Sequence, residues 1–251
     1  MSRRLPLTVV ERGGSKRPMD LTLDTVINLG SATRSDEVAK LHRDEVLLHG
    51  VHVATEVPAP RMYPIAASSV VTDDLIEVQT EETSGEVEIV LILADQLYVG
   101  VGSDHTDRAL ERASIPWSKQ ACANVLAPQV WPFEELKDDW DSCVLRSWVD
   151  GRLYQEVGVD AFLRPETVLE IVAERAPGFP ETNAAIFCGT IVSVDKRLGF
   201  GSRWAFEMTD PKGDRRIHHS YDVRNMFDAI RPDYRVPMLT GAIGPDLAKS
   251  A

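Results

Sequence analysis

After Pro64 the chain runs through strand-like segments in quick succession as far as Gly102, ending in SGEVEIVLIL and LYVGVG. Short stretches rich in β-branched and aliphatic residues, set between turn residues, form strands rather than helices. The middle of the molecule is therefore read as sheet, and whatever chemistry it holds must sit on strands or at their ends. Just upstream, Val57 to Pro64 carries three prolines without periodicity and reads as an irregular connection.

The flanks fit the same α+β, β-rich plan with few helices. LTVV and LTLDTVINL, split by Gly13, Gly14 and Pro18, read as a first hairpin. Ser35 is placed to cap a helix with Asp36 and Glu37 in its first turn, where acidic groups suit the helix dipole, and the helix is expected to run to about Leu48. Pro165, the run ETVLEIVAERA and the stop Pro177-Gly178 mark the clearest helix. AAIFCGTIVSV reads as a buried strand, and SRWAFEMTD with RRIHHSYDV as a hairpin around Lys212-Gly213-Asp214. We divide the chain into 1–60 (N-terminal strands and a helix packed on the main domain), 61–233 (main domain) and a 234–251 tail expected to be mobile or docked on a partner.

Composition narrows the function classes. With 43% hydrophobic and 26% charged residues among 251, the chain is ordinary globular material. A formal net charge of −12 argues against nucleic acid and anionic membrane as partners. A small anionic metabolite stays compatible if a metal or local Lys/Arg reverses the field in one cleft. Cys122, Cys143 and Cys188 are scattered, with no CxxC, and read as buried free thiols. No run reaches the ~18–20 apolar residues of a membrane span, and Met1 to Val10 lacks a signal-peptide core, so a cytoplasmic setting is expected.

Two clusters carry chemistry. Glu86 and Glu88 are two apart in a strand-like run, so their carboxylates share a face and can converge on one ion; taken alone, the pair reads equally as the polar face of an ordinary strand. Ser103-Asp104-His105-Thr106-Asp107-Arg108 follows the next apolar stretch. It offers either a third carboxylate, Asp104, for an oxygen-rich Mg²⁺ or Mn²⁺ site, or simply a turn with an Asp cap and a surface Asp107/Arg108 pair. His42 and Glu45, at i and i+3 of the expected helix, share a face: either Glu45 orients His42 as a general base, with His105, His49 and His52 as rivals, or the two are ordinary residues of a solvated helix face. His218 and His219 are strand neighbours pointing oppositely, one to the surface and one packed.

In order along the chain these pieces resemble the fumarylacetoacetate hydrolase family, which shows an ExE strand, a later Asn-Asp-x-(Ser/Thr)-x-Arg segment and then a Lys. The matching residues are Glu86 and Glu88, Ser103 to Arg108, and Lys119; aligning Thr106 and Arg108 makes Asp104, not Asp107, the ligand. Tyr63 to Ser69 looks like the family's Pro segment followed by serines, VDGRLYQ (Val149 to Gln155) like its Asn-Gly-x-x-x-Gln turn, and AIFCGT (Ala185 to Thr190) like its Gly-Thr segment. The likeness covers roughly Leu41 to Val223. It departs at Ala66 and Ala67, where many members have Lys-Pro, at Asp150 in place of Asn, after Thr190, where Pro-x-Gly-Val-Gly is missing, and in a short gap between ExE and Asp104. A divergent branch is indicated.

The resemblance implies a mixed β-sandwich/roll fold, a homodimer, and a divalent metal, Mg²⁺ or Mn²⁺, on Glu86, Glu88 and Asp104. It implies catalytic roles for His42, Glu45, Lys119 and Thr190, and substrate contacts for Ser68, Ser69, His105, Arg108, Gln155 and Gly189. The expected reaction is hydrolysis of a carbon–carbon bond in a small 2-oxo or 1,3-dicarbonyl acid through a metal-stabilised enolate. Decarboxylase, hydratase or isomerase chemistry, or a non-catalytic scaffold that kept the fold, are the alternatives.

Overall fold

A computed structural model describes residues 2–236. The chain opens with a hairpin, β1 (Arg3–Val10) and β2 (Lys16–Leu23), and continues into β3 (Thr25–Gly30). After α1 (Asp36–Leu47) come β4 (Arg61–Ile65) and the short strands β5 (Val70–Val71), β6 (Leu75–Val78) and β7 (Thr83–Ser84). The hairpin β8 (Val87–Leu93) and β9 (Leu97–Asp104) leads through β10 (Thr106–Asp107) into helices α2 (Arg108–Glu111) and α3 (Ile115–Ala121). β11 (Asn124–Leu126), β12 (Gln129–Pro132) and the hairpin β13 (Val144–Val149) and β14 (Arg152–Gly158) follow. α4 (Pro165–Arg175), β15 (Ala184–Phe187) and the last hairpin, β16 (Arg203–Asp210) and β17 (Arg215–Asn225), complete the described strands and α-helices.

A ten-stranded mixed sheet runs β2-β1-β12-β9-β8-β15-β3-β4, with β11 and β5 branching from β9. A five-stranded sheet, β14-β13-β16-β17-β6, lies apart from it in pairing, and β10 pairs with β7. One apolar core packs β8 and β9 side chains (Val87, Ile89, Leu91, Val99, Val101) with Leu145, Trp204, Phe206 and Tyr221 of the second sheet. A second core uses the alternate residues Val90, Ile92 and Tyr98 with Leu5, Leu7, Leu21 and Leu23. β8 is thus buried on both faces, which is why its sequence is an apolar run rather than an alternation. Because β1, β2 and β3 belong to the same sheet as β8, β9 and β15, no sheet boundary separates residues 1–60 from 61–233.

Local signals work where expected. The Ser35 side chain caps α1 by accepting from the Glu37 N–H at 3.2 Å. Asp150 (φ 47°) and Gly151 (φ 78°) form the turn of the β13–β14 hairpin. His218 is exposed while the His219 ring meets Phe206 edge-on. The three cysteines are buried and free.

Two expectations are corrected. LTLDTVINL is not one strand: the chain breaks at Asp24, whose N–H donates to Asn183 O at 2.8 Å. β2 then pairs with β1, whereas β3 pairs with β15 and β4. AAIFCGTIVSV is strand only to Phe187, because Gly189 takes a left-handed φ of 79° and turns the segment inward. Of the 234–251 tail, everything after Val236 lies outside the described residues.

Candidate metal centre

The β8–β9 hairpin places the carboxylates. Its register sets Val87 opposite Ser103 and Glu88 opposite Gly102, and the Asp104 N–H donates to Glu86 O at 3.0 Å. The short gap between ExE and Asp104 is therefore a tight hairpin that brings the two segments side by side. Glu86 stands just before β8 rather than within it. Gly102 is required here: a Cβ would come within 2.7 Å of Val125 O and 2.8 Å of the Phe187 ring.

Glu86, Glu88 and Asp104 are all buried, and one ligand oxygen from each lies within 4.8 Å of the others. Each is held by neighbours of a different kind. Arg108 Nη2 donates to Glu86 Oε1 at 2.6 Å, Gly189 N–H to Glu88 Oε2 at 2.9 Å, and Lys119 Nζ to Asp104 Oδ2. Asp104 Oδ1 is buried with no hydrogen-bond partner. An all-oxygen donor set with one unpartnered carboxylate oxygen fits a hard divalent cation such as Mg²⁺ or Mn²⁺.

The electrostatics point the same way. Burial opposes the charge on Glu86, but Arg108 and Lys119, joined by His42 when that ring is protonated, outweigh it and hold its pKa at about 2. Burial, then the neighbouring Asp104, pushes Glu88 well above the usual carboxylate range. Burial also raises Asp104, against the pull of Lys119. Burial depresses the Lys119 ammonium, yet Asp104, Glu86 and Glu88 more than reverse this, so Lys119 stays charged. A divalent cation would relieve the repulsion that raises Glu88.

A cleft of about 50 Å³ opens over Glu86 and Glu88, lined also by His42 and Arg43 of α1, Arg61 and Tyr63 of β4, and Lys119. His42 Nδ1 lies 3.1 Å from Glu45 Oε2, and its Nε2 3.5 Å from Glu86 Oε1. Glu45, buried, is itself fixed through Oε1 by the N–H and hydroxyl of Ser193. The geometry therefore aims one imidazole nitrogen at the carboxylates and ties the other to Glu45.

Other expected contacts fall elsewhere. His105 is fully buried, its ring nitrogens 2.9 Å from Tyr221 Oη and 2.9 Å from Thr83 Oγ1, and burial with nearby Arg108 lowers its pKa to about 3; it faces the second sheet, not the cleft. Arg108 is also sealed, bridging Glu86, Glu111 and Ser84, so it supports the carboxylates from behind. Gln155 lies behind Thr190, donating to its Oγ1 at 2.8 Å and to Ile191 O at 2.7 Å. Thr190 and Gly189 do line the cleft, but the Thr190 hydroxyl donates to Val87 O and the Gly189 N–H to Glu88, so these donors are committed to the protein. Ser68 borders a separate surface hollow and Ser69 donates to Ala66 O at 2.7 Å. His49 packs on Phe200 and His52 is exposed; neither lines the cleft. Asp107 accepts from Leu110 N–H at 2.9 Å as the α2 cap, leaving Asp104 as the inward carboxylate.

Several site residues were missed. Asn28 and Asn124, both fully buried, are hydrogen bonded at 3.1 Å, with Asn124 opposite Asp104 in the β11–β9 register. A lone Asn inside the apolar TVINLG was the available signal, since buried amides need partners. Arg61 and Glu111 lie in segments without a local pattern, and Tyr63 opens the Pro segment of the resemblance, which gave it no role.

A search of curated proteins returns no match. Among solved structures, yeast ynq8, a fumarylacetoacetate hydrolase family protein, superposes with a TM-score of 0.59 at 16% identity, covering 81% of this chain and 94% of that one. Maleylpyruvate hydrolase from Sphingobium sp. SYK-6 gives a TM-score of 0.56 at 11% identity over 84% and 77%. 4-Oxalocrotonate decarboxylase from Pseudomonas putida G7, complexed with calcium and acetate, gives 0.53 at 13% identity over 79% and 76%. Residues 30–221 match the model of a family described as protein of unknown function (DUF2848). With the hairpin-borne carboxylates lying inside that span, the chain belongs to the DUF2848 family and has the fold of fumarylacetoacetate hydrolase family proteins.

Proposed function

We propose that this chain is a divalent-metal-dependent hydrolase that cleaves a carbon–carbon bond of a small 2-oxo or 1,3-dicarbonyl acid. The observation that carries the reading is the buried triad Glu86, Glu88 and Asp104, with its unpartnered Asp104 oxygen, beneath a cleft bordered by the His42–Glu45 pair. Mg²⁺ or Mn²⁺ held there would supply Lewis-acid polarisation of the substrate's carboxylate and oxo oxygens.

The chain's own groups do the rest. In the neutral tautomer with its proton on Nδ1, His42 donates to Glu45 and leaves Nε2 as the basic nitrogen facing the cleft. Nε2 takes a proton from water as the water oxygen bonds to the carbonyl carbon. The bond between that carbon and its neighbour then breaks, and its electron pair passes to the oxo-acid fragment, which is reprotonated. Lys119, held charged by three carboxylates, offsets negative charge developing beside it. Gly189 and Gln155 hold Glu88 and Thr190 in place rather than meeting substrate.

A decarboxylase reading draws on the Pseudomonas putida G7 relative. The positioned His42 favours hydrolysis, since decarboxylation needs no activated water. Turnover of acylpyruvates, oxaloacetate and 2-hydroxydienoic acids with Mg²⁺, by wild type and His42→Ala, tests the reading. Hydrolysis lost in His42→Ala supports it; decarboxylation undiminished in His42→Ala selects the alternative, and no metal-dependent turnover of any of them removes this substrate class.

A further inference from the structure

Asn28 of β3 and Asn124 of β11 have no part in the proposed chemistry, yet both are fully buried. Strand parity sets them on the face that carries the second apolar core, Asn28 with Val26 and Asn124 with Leu126. Asp104 leaves β9 on that same face, in step with Tyr98. β3 and β11 share no backbone pairing. The 3.1 Å bond from Asn28 Nδ2 to Asn124 Oδ1 therefore ties together two parts of the sheet that the strand ladder leaves apart.

Two amides that served only each other could exchange two hydrogen bonds. Here one forms, and Asn28 Oδ1 and Asn124 Nδ2 are left buried and unpartnered, as is Asp104 Oδ1. Asn124 faces Asp104 directly across the β11–β9 ladder. Burial raises the Asp104 pKa, and the Asn28 amide joins Lys119 in opposing that rise, so Asn28 also lies beside the carboxylate. Unmatched amide atoms in an apolar core cost stability, and two apolar side chains of the same shape would avoid that cost. A local need at Asp104 accounts for keeping them.

We propose that Asn28 and Asn124 are positioning residues for Asp104: together they fix its carboxylate from the side of the second core, so that Oδ1 stays available to a cation shared with Glu86 and Glu88 while Lys119 takes Oδ2. Neither asparagine lines the cleft, so the pair acts on the ion through Asp104 and does not touch substrate. This rests on the metal reading of the site given above.

Calorimetric titration of the full chain with Mg²⁺, beside thermal melting of the metal-free protein, tests it on wild type, Asn28→Leu, Asn124→Leu and the double variant. Leucine keeps the approximate volume and removes the amide. Each single variant strands the other amide and should melt below wild type. In the double variant the melting temperature should return toward wild type, while Mg²⁺ binding stays about 10–100-fold weaker, the range for groups that support a metal ligand. A purely structural pair would move the melt and leave the affinity alone. Wild-type Mg²⁺ affinity in the folded double variant therefore overturns the proposal. Asn28→Ser, a smaller change, carries the test if the leucine variants do not fold: weakened Mg²⁺ binding below its melt supports the proposal, and unchanged affinity overturns it. Failure of wild type to bind Mg²⁺ overturns the metal reading instead, so the two failures are told apart.

Discussion

Two clusters of ionic groups among the described residues are built on opposite terms. Near the β16–β17 turn, Arg215 pairs with Asp210 at 3.0 Å and Glu135 at 2.9 Å, while Arg12 and Lys212 meet Asp139. Gly213 N–H takes the other Asp210 oxygen at 2.9 Å, and the Arg215 guanidinium, whose Nη2 lacks a hydrogen bond, stacks over Trp131 at 4.7 Å. Cations and carboxylates there are matched in number. At the β8–β9 hairpin the carboxylates of Glu86, Glu88, Asp104 and Glu111 face the two permanent cations Arg108 and Lys119, with His42 beside Glu86, and Asp104 Oδ1 is buried without a hydrogen-bond partner. Buried charge alone is a structural device. An excess of one sign beside an open cleft is what singles out the second cluster.

Substitutions sharpen that contrast. The largest effect is expected from Glu88→Gln, which should lower metal-dependent turnover about 10³-fold or more, the loss of several kcal/mol of charge stabilisation. The melting temperature of the metal-free protein should hold or rise, because a repelling carboxylate is removed; a large fall there would make Glu88 structural, like Asp210. Next, His42→Ala should reduce hydrolysis about 10²–10⁴-fold with metal binding intact, read by steady-state kinetics and Mg²⁺ titration. At the balanced cluster the pattern inverts. Asp210→Ala should lose about 1–3 kcal/mol of stability by urea unfolding, since Arg215 then keeps only Glu135 and its Nε is left without a partner, yet the Mg²⁺-induced rise in melting temperature should persist. The smallest effect belongs to Arg108→Lys, which loses the bridge between Glu86 and Glu111 and should weaken Mg²⁺ about 10–100-fold.

What was legible in the sequence is what is local. Side-chain parity placed Glu86 and Glu88 together, the Ser35 cap and Pro165 set the starts of α1 and α4, and Asp150-Gly151 marked its hairpin. The collinear likeness carried Lys119 and Asp104 to the same point, where they are in contact. What was missed depends on which strands adjoin. Nothing in His105 or Arg108 says that the second sheet and α2 seal them. Nor does RMYP reveal that β4, paired to β3, turns Arg61 toward the carboxylates' cleft. The split at Asp24 arises likewise from a distant carbonyl, that of Asn183.

The metal centre is tested most directly by titrating Mg²⁺ and Mn²⁺ into chelator-stripped protein by calorimetry, with Glu88→Gln alongside. The account predicts saturable binding at one site in the wild type and its loss in the variant. Absence of binding of either ion by the wild type, or equal binding by the variant, would contradict it.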